Sequence, residues 1–151
     1  MPVHIRFSFL GEQQVDRTLL GFADRARDMR PAWDELEKRF TEWEEDWFAS
    51  EGNGTWAPLS PSYRAWKEKH FPGEPILHRE GILERSVTKP AIAVKEPTYA
   101  IFGTDDPVAG FHQRGGGHLP VRRVIDLAED ERQEWVRAVQ RHLLNEEGGE
   151  L

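Results

Sequence analysis

The residues best suited to chemistry are crowded into one stretch, FHQRGGGHLPVRRV, which runs from Phe111 to Val124. It combines histidines, arginines, a glutamine, a proline and three consecutive glycines. A glycine-rich loop can hold phosphate, a pair of histidines can hold a metal, and a shaped loop can dock on another protein. The residues around the stretch decide between these three uses.

The glycine triplet at 115–117 lacks the context of a phosphate-binding loop. A Walker loop continues with lysine and serine or threonine at a helix start, and a dinucleotide loop lies between a strand and a helix. Here the glycines lead into His118, Leu119 and Pro120, ahead of a predicted strand. The sequence therefore favours a turned or flexible loop over nucleotide binding and predicts no cofactor.

A metal site is the second possibility, with His112 and His118 as ligands and Asp105 or Asp106 as an oxygen donor. Their spacing matches none of the compact zinc patterns, and the chain contains no His-Glu-x-x-His sequence. A small metal-dependent hydrolase thus remains an alternative, but histidines that bind backbone groups or lie at an interface are favoured. No metal site, catalytic site or enzymatic activity is predicted.

The charges are separated by sign along the chain. The 151 residues carry a net charge of −7, and residues 31–51 alone hold eight acidic and two basic side chains. Residues 111–125 contain Arg114, Arg122 and Arg123 and no acid. Such separation favours assembly in which a positive loop meets a negative face. A nucleic-acid-binding module that uses these arginines is a further alternative, although three cations supply few phosphate contacts.

The composition excludes several other classes of protein. There is no cysteine, so disulfides and thiolate chemistry are absent. No apolar run approaches the roughly 20 residues of a membrane span, and the N-terminus does not resemble a secretory signal. We expect no association with membranes.

The elements that must position these residues follow from hydrophobic periodicity. Alternation over residues 3–9 predicts a strand, and apolar spacing predicts one helix over residues 15–29 and a second one from Pro31. In the second helix an apolar stripe contains Trp33, Leu36, Phe40, Trp43 and Trp47, and its acidic residues are predicted to face outward. Ser60 before proline predicts the N-cap of a short helix that ends near His70.

The second half of the chain is predicted to form short elements followed by a C-terminal helix. Residues 75–86 predict a turn and a short helical piece, and 87–94 and 99–103 predict strands that form a hairpin. Residues 121–127 predict another strand, and 129–145 predict an amphipathic helix. The fold class is therefore α+β: a small single domain over 1–145, with long amphipathic helices packed on a short, mostly antiparallel sheet. Residues 146–151 predict a flexible polar tail.

An ordered set of short motifs resembles the phage virion morphogenesis family, which includes the Mu G-like and tail-completion proteins of tailed bacteriophages. The resemblance covers about residues 15–144. The motifs are Trp56-x-Pro58-Leu59-Ser60, Ile76-Leu77-His78, Gly81-x-Leu83-x-x-Ser86, Tyr99-Ala100, His112-Gln113-x-Gly115 and Pro120-x-Arg122, followed by the C-terminal amphipathic helix.

The resemblance implies a structural virion protein without catalytic activity, acting in tail completion and head-tail joining. It implies a location at the neck or tail top and assembly in the bacterial host cytoplasm. The expected partners are other copies of the chain in a ring, the head-tail connector, and tail tube or terminator proteins. A tail terminator that caps the tube is the alternative role. DNA is expected only as it passes through a lumen, whose acidic lining would keep it from sticking.

Two groups of residues are predicted to carry this function. The acidic side chains that could face a channel are Glu42, Glu44, Glu45 and Asp46. The residues predicted to contact neighbouring proteins are His112, Gln113, Arg114, Gly115, Gly116, Gly117, His118, Pro120, Arg122, Arg123 and Trp56.

Overall fold

A computed structural model describes residues 12–90 and 92–145, with side chains from residue 15 onward. Over these residues the chain forms six α-helices and a two-stranded antiparallel sheet, so the predicted α+β class is confirmed. The predicted strand at 3–9 and the predicted tail at 146–151 lie outside the described residues. The elements are α1 Glu12–Arg27, α2 Arg30–Ala49, α3 Pro61–His70, α4 Ile82–Thr88, β1 Ile92–Lys95, β2 Ala100–Gly103, α5 Pro107–Arg114 and α6 Glu129–Leu144.

The first two helices are separate, as predicted, and their junction is fastened to α6. Arg25 donates from Nε to the carbonyl oxygen of Leu143 at 2.8 Å. The His142 Nε2 atom lies 3.0 Å from the carbonyl oxygen of Asp28. These bonds occupy carbonyl groups at the ends of α1 and α6 that have no partner within their own helices. None of the helices among the described residues is long and apolar enough to cross a membrane.

Helix α2 forms the centre of the domain. Its apolar stripe buries Leu36, Phe40 and Trp47, which confirms the predicted face. The Phe40 ring stacks on Phe102 of β2 with ring centroids 5.9 Å apart. Helices α4 and α6 pack on other parts of α2. These contacts place the hairpin and the long helices around a shared apolar interior. Burial of apolar side chains is the main favourable term in folding and stabilises this arrangement.

The hairpin is shorter than the sequence predicts. Ile92 pairs with Gly103 and Lys95 with Ala100 in the antiparallel register. Val87 was expected to begin the first strand, but it is fully buried in α4 instead. That helix begins after Gly81, whose φ of 68° lies in the left-handed region that glycine adopts without a steric cost.

Near the opening stretch the structure contains a helix that the sequence did not predict and lacks a strand that it did predict. Residues 107–114 form helix α5, because Asp106 caps it by accepting from the Val108 N–H at 2.8 Å and proline occupies its first turn. Residues 121–127 form no strand. They are held by side chains in place of a neighbouring strand, and we call them the clamped segment.

Candidate functional site

Gln113 on α5 holds the clamped segment at its middle. Its side-chain Oε1 accepts from the backbone N–H of Val124 at 2.8 Å and of Ile125 at 3.0 Å, while Nε2 donates to the Ile125 carbonyl at 2.8 Å. A primary amide presents a donor and an acceptor side by side, as a neighbouring strand would. Gln113 thus serves the interior of the domain, and its predicted contact with neighbouring proteins stays a prediction.

Arg122 fastens the clamped segment to residues 57–58. Its side chain donates from Nε to the Ala57 carbonyl at 2.7 Å and from Nη2 to the Pro58 carbonyl at 3.0 Å. Its backbone N–H donates to the His112 carbonyl at 2.8 Å. The side chain is only 4% exposed. The Arg122 side chain thus holds two backbone carbonyls of the domain while it also borders the groove described below, and its predicted contact with neighbouring proteins stays a prediction.

Tryptophan side chains hold the other face of the clamped segment. Trp47 and Trp56 both donate from Nε1 to the Arg123 carbonyl, and Trp43 donates to the Asp126 carbonyl at 3.1 Å. Trp56 is buried in the core, edge-on to Phe48, with ring centroids 5.2 Å apart. Trp56 was predicted to contact neighbouring proteins, but its ring is buried and its N–H is bonded inside the domain.

The remaining arginines leave less positive surface than the sequence suggested. The Arg123 side chain is exposed but pairs with Asp126, with Nη1 and Oδ2 3.2 Å apart. Arg114 is exposed at the end of α5. The excess positive charge expected over 111–125 is thus reduced by burial of Arg122 and by the Asp126 carboxylate.

The glycine triplet forms a tight turn that projects outward. All three glycines have positive φ, at 69°, 147° and 57°. Gly116 and Leu119 exchange two backbone hydrogen bonds across the turn, at 3.2 and 2.9 Å. Gly116, Gly117, His118, Leu119 and Pro120 are exposed at its tip. Gly116, Gly117, His118 and Pro120 of the predicted docking residues are therefore accessible, and their contact with neighbouring proteins stays a prediction.

Beside this turn lies a groove of about 720 Å³ between α3, α4 and α5. Residues 58–60 form one wall and residues 77–83 another, and residues 118–120 close the side near the turn. His112 and His118 both border the groove. Burial and the nearby Arg122 guanidinium lower the pKa of His112, so its neutral form predominates at neutral pH. A size of this order is typical of ligand-sized binding sites.

The structure adds polar residues to this site that sequence reasoning missed. Lys67 of α3 is 5% exposed and donates from Nζ to the Pro75 carbonyl. His78 lies between two carboxylates, with Nδ1 against Glu74 and Nε2 3.1 Å from Glu84. No sequence spacing relates these positions to residues 112–120. Only the Asp106-Pro107 pair could have revealed that His112 and Gln113 are helical.

The acidic residues of α2 do not share one face. Glu42, Glu45 and Asp46 are exposed, whereas Glu44 is fully buried and its carboxylate oxygens have no hydrogen-bond partner. Glu44 lies four residues after Phe40, and the helical repeat therefore places it on the apolar side. Burial, with a smaller contribution from Asp126, raises the pKa of Glu44 to about 8. The prediction that Glu44 faces a channel is wrong.

The predicted site residues are not brought together into a recognisable catalytic site. Within residues 12–90 and 92–145, no group of three or more histidine and acidic side chains is placed to hold a metal ion. The site consists of a groove of about 720 Å³, an exposed turn beside it and several buried polar side chains.

Comparison with protein families decides between the classes of protein. The sequence model of the phage virion morphogenesis family matches residues 10–144. The chain belongs to the phage virion morphogenesis family. Its role is therefore in building a bacteriophage particle, with which the protein is associated. A search of curated proteins and a search of solved structures found no match.

Five of the six short motifs that resemble the phage virion morphogenesis family contribute residues to the groove, and only Tyr99-Ala100 lies outside its lining. Its walls contain Pro58, Leu59 and Ser60 of the first motif, and Leu77 and His78 of the second. Further along the chain they contain Gly81, Leu83, His112, Pro120 and Arg122. Motifs that are far apart in sequence thus build one site in this virion morphogenesis protein.

Proposed function

We propose that the protein is a non-catalytic structural component that acts in tail completion and head-tail joining, as a homo-oligomeric ring. The family match over residues 10–144 carries this proposal. A joint between a head and a tail needs a subunit that works by binding its neighbours. The head-tail connector and the tail tube or terminator proteins are the proposed neighbours, at the neck or tail top of a particle assembled in the host cytoplasm.

Two separate exposed apolar surfaces support a ring. On α1, Leu19 is 62% and Leu20 is 65% exposed, and Val15 and Phe22 are exposed beside them. The second surface is the rim of the groove, and its exposed apolar side chains are Tyr63, Ile82, Val108 and Leu119. Exposed apolar patches of this kind mark contact sites. Because the two surfaces share no residue, they suit head-to-tail contacts, which form a ring when the rotation between successive copies closes.

The exposed acids of α2 support passage of DNA through such a ring. Glu42, Glu45 and Asp46 present negative charge outward. In the proposed ring they line the lumen, where repulsion keeps the DNA backbone from binding to the wall. Reversing these three charges to lysine is expected to impair DNA passage or retention while particles still assemble. The control reverses three exposed acids on other elements, Asp16, Glu68 and Asp105; equal infectivity of both variants would remove the lumen assignment.

Imaging of particles that lack the protein tests the joining role. A phage or prophage with the gene deleted is expected to release DNA-filled heads without tails, beside complete tails of normal length. Tubes of uncontrolled length would instead indicate a tail terminator. Normal, infectious particles would refute both roles.

A further inference from the structure

Two buried cations line the groove beside the glycine turn. Lys67 is 5% and Arg122 is 4% exposed, and both belong to its walls. Their burial lowers the pKa of each side chain. Positive charge that is removed from water costs free energy unless an anion compensates it. The groove therefore contains positive charge placed where an anionic group from outside could reach it.

The domain compensates these two charges only in part: Glu74, Glu51 and Glu68 oppose the effect of burial on the pKa of Lys67, whereas burial alone acts on the pKa of Arg122. Among the described residues, no carboxylate oxygen lies within 4.0 Å of the Lys67 Nζ or the Arg122 guanidinium. Their side chains donate hydrogen bonds to backbone carbonyls instead. Lys67 binds the carbonyl of Pro75, and Arg122 binds those of Ala57 and Pro58. Backbone carbonyls satisfy N–H donors but carry no net charge.

The carboxylates that do border the groove are engaged or peripheral. Asp106 accepts the Val108 N–H at the start of α5. Glu80 is exposed. On the positive side, Arg79 also borders the groove and lies over the Phe71 ring, 5.5 Å from its centre. Lysine and two arginines against two carboxylates leave the groove net positive in a chain whose net charge is −7.

The walls of the groove also indicate which uncharged groups its ligand should carry. Between the charged groups the groove presents apolar side chains, among them Leu59, Leu77 and Leu83. Its volume of about 720 Å³ fits several residues of extended chain better than a single ion. The complementary ligand is a short acidic peptide segment that also carries an apolar side chain.

We propose that the groove binds residues 146–151 of a second copy of this chain. This segment, EEGGEL, has three glutamates, no cation and one leucine. It follows α6, which packs on α1 and α2, whereas the groove is formed by α3, α4 and α5. Binding between copies is then head-to-tail and can close into a ring. The proposal rests on the self-assembly stated under the proposed function and identifies the contact that produces it.

Matched variants of the full chain test the contact. Lys67→Met removes one of the three positive charges of the groove but keeps the aliphatic stem, and Lys69→Met makes the same change at an exposed position of α3 outside the groove. The segment variant changes Glu146, Glu147 and Glu150 to glutamine. Thermal unfolding first establishes that each variant is folded. Binding of an acetylated peptide of residues 144–151 is then measured by fluorescence anisotropy, and self-association by sedimentation.

We expect Lys67→Met to weaken peptide binding at least tenfold and Lys69→Met to leave it within twofold. We also expect a glutamine-substituted peptide to lose most of its affinity. The Lys67→Met chain and the segment variant should each fail to self-associate alone. Mixed, they should form a one-to-one dimer, because one supplies an intact segment and the other an intact groove.

Other results overturn the proposal. The proposal is wrong if the peptide does not bind and no mixed dimer forms. It is also wrong if Lys67→Met leaves peptide binding unchanged. If only the segment variant binds peptide and no mixed dimer forms, each chain fills its own groove and the second copy is excluded. The particle-imaging experiment is independent of these measurements. Tailless heads in the deletion with no groove binding would leave the joining role intact and remove the groove contact alone.

Discussion

Trp47 and Trp56 donate their indole N–H groups to the same oxygen, the carbonyl of Arg123, each at 2.9 Å. A carbonyl oxygen has two lone pairs, so it can accept both bonds. Trp47 belongs to α2, and Trp56 follows the turn after that helix. The shared acceptor thus joins the central helix, the segment that leads into the groove wall, and the clamped segment, and it does so without a sheet.

Replacing Trp56 with phenylalanine tests this junction. The variant keeps an aromatic ring in the core but loses the N–H donor and some volume, so we expect a loss of about 1–3 kcal/mol in the free energy of unfolding. Urea denaturation followed by circular dichroism measures it. Trp66→Phe, at a side chain that is 41% exposed, is the control and should change stability by less than about 0.5 kcal/mol. Equal effects of the two changes would contradict the assignment.

Gln113→Leu should destabilise the domain by about 2–4 kcal/mol. The change removes three hydrogen bonds and leaves backbone groups of Val124 and Ile125 without partners. Gln140→Leu places the same substitution at an exposed position of α6 and serves as the control. Hydrogen exchange of the Val124 and Ile125 amides gives the local readout. Unchanged protection in Gln113→Leu would show that the side chain does not hold the segment.

The buried carboxyl of Glu44 should make stability depend on pH. Its folded pKa of about 8 lies above the ordinary value of 4.5, so between these values the folded state retains a proton that the unfolded chain has lost. Unfolding then releases a proton, and stability falls as pH rises from about 5 to 8, by at most about 1.4 kcal/mol per pH unit. Glu44→Gln should flatten this slope in denaturation experiments. Glu45→Gln, at the exposed neighbour, should retain it; identical slopes in both variants would refute the assignment.

The three glycines of the turn should not respond alike to alanine. A Cβ on Gly115 would lie 2.9 Å from Val121 Cγ2, and its φ of +69° adds backbone strain. A Cβ on Gly117 would have no atom within 4 Å. We expect Gly117→Ala to cost about 1–2 kcal/mol, from backbone strain alone, and Gly115→Ala to cost about 1–3 kcal/mol more. Thermal unfolding distinguishes them, and equal losses would contradict the contact. Alanine at all three positions would therefore alter folding as well as docking.

The α+β class, the helices α1, α2, α3 and α6, and the hairpin could all be predicted from the amino-acid sequence. These follow from local rules: apolar residues recur every three or four positions, Ser60 precedes a proline, and alternating segments flank a turn. Family resemblance was likewise readable, because short motifs stand in a fixed order along the chain. Such features depend on residues close in sequence, where propensity and periodicity decide the outcome.

Which polar residues serve the interior depends on tertiary contacts that the sequence does not show. Gln113, Arg122 and Trp56 looked like surface contacts because their residue types suit interfaces, yet each binds a backbone group distant in sequence. The clamped segment looked like a strand because extended chain and strand share the same alternation. Its hydrogen-bond partners are side chains, and no local rule indicates where those lie. The groove exists for the same reason: its walls come from residues about 60 positions apart, which only packing brings together.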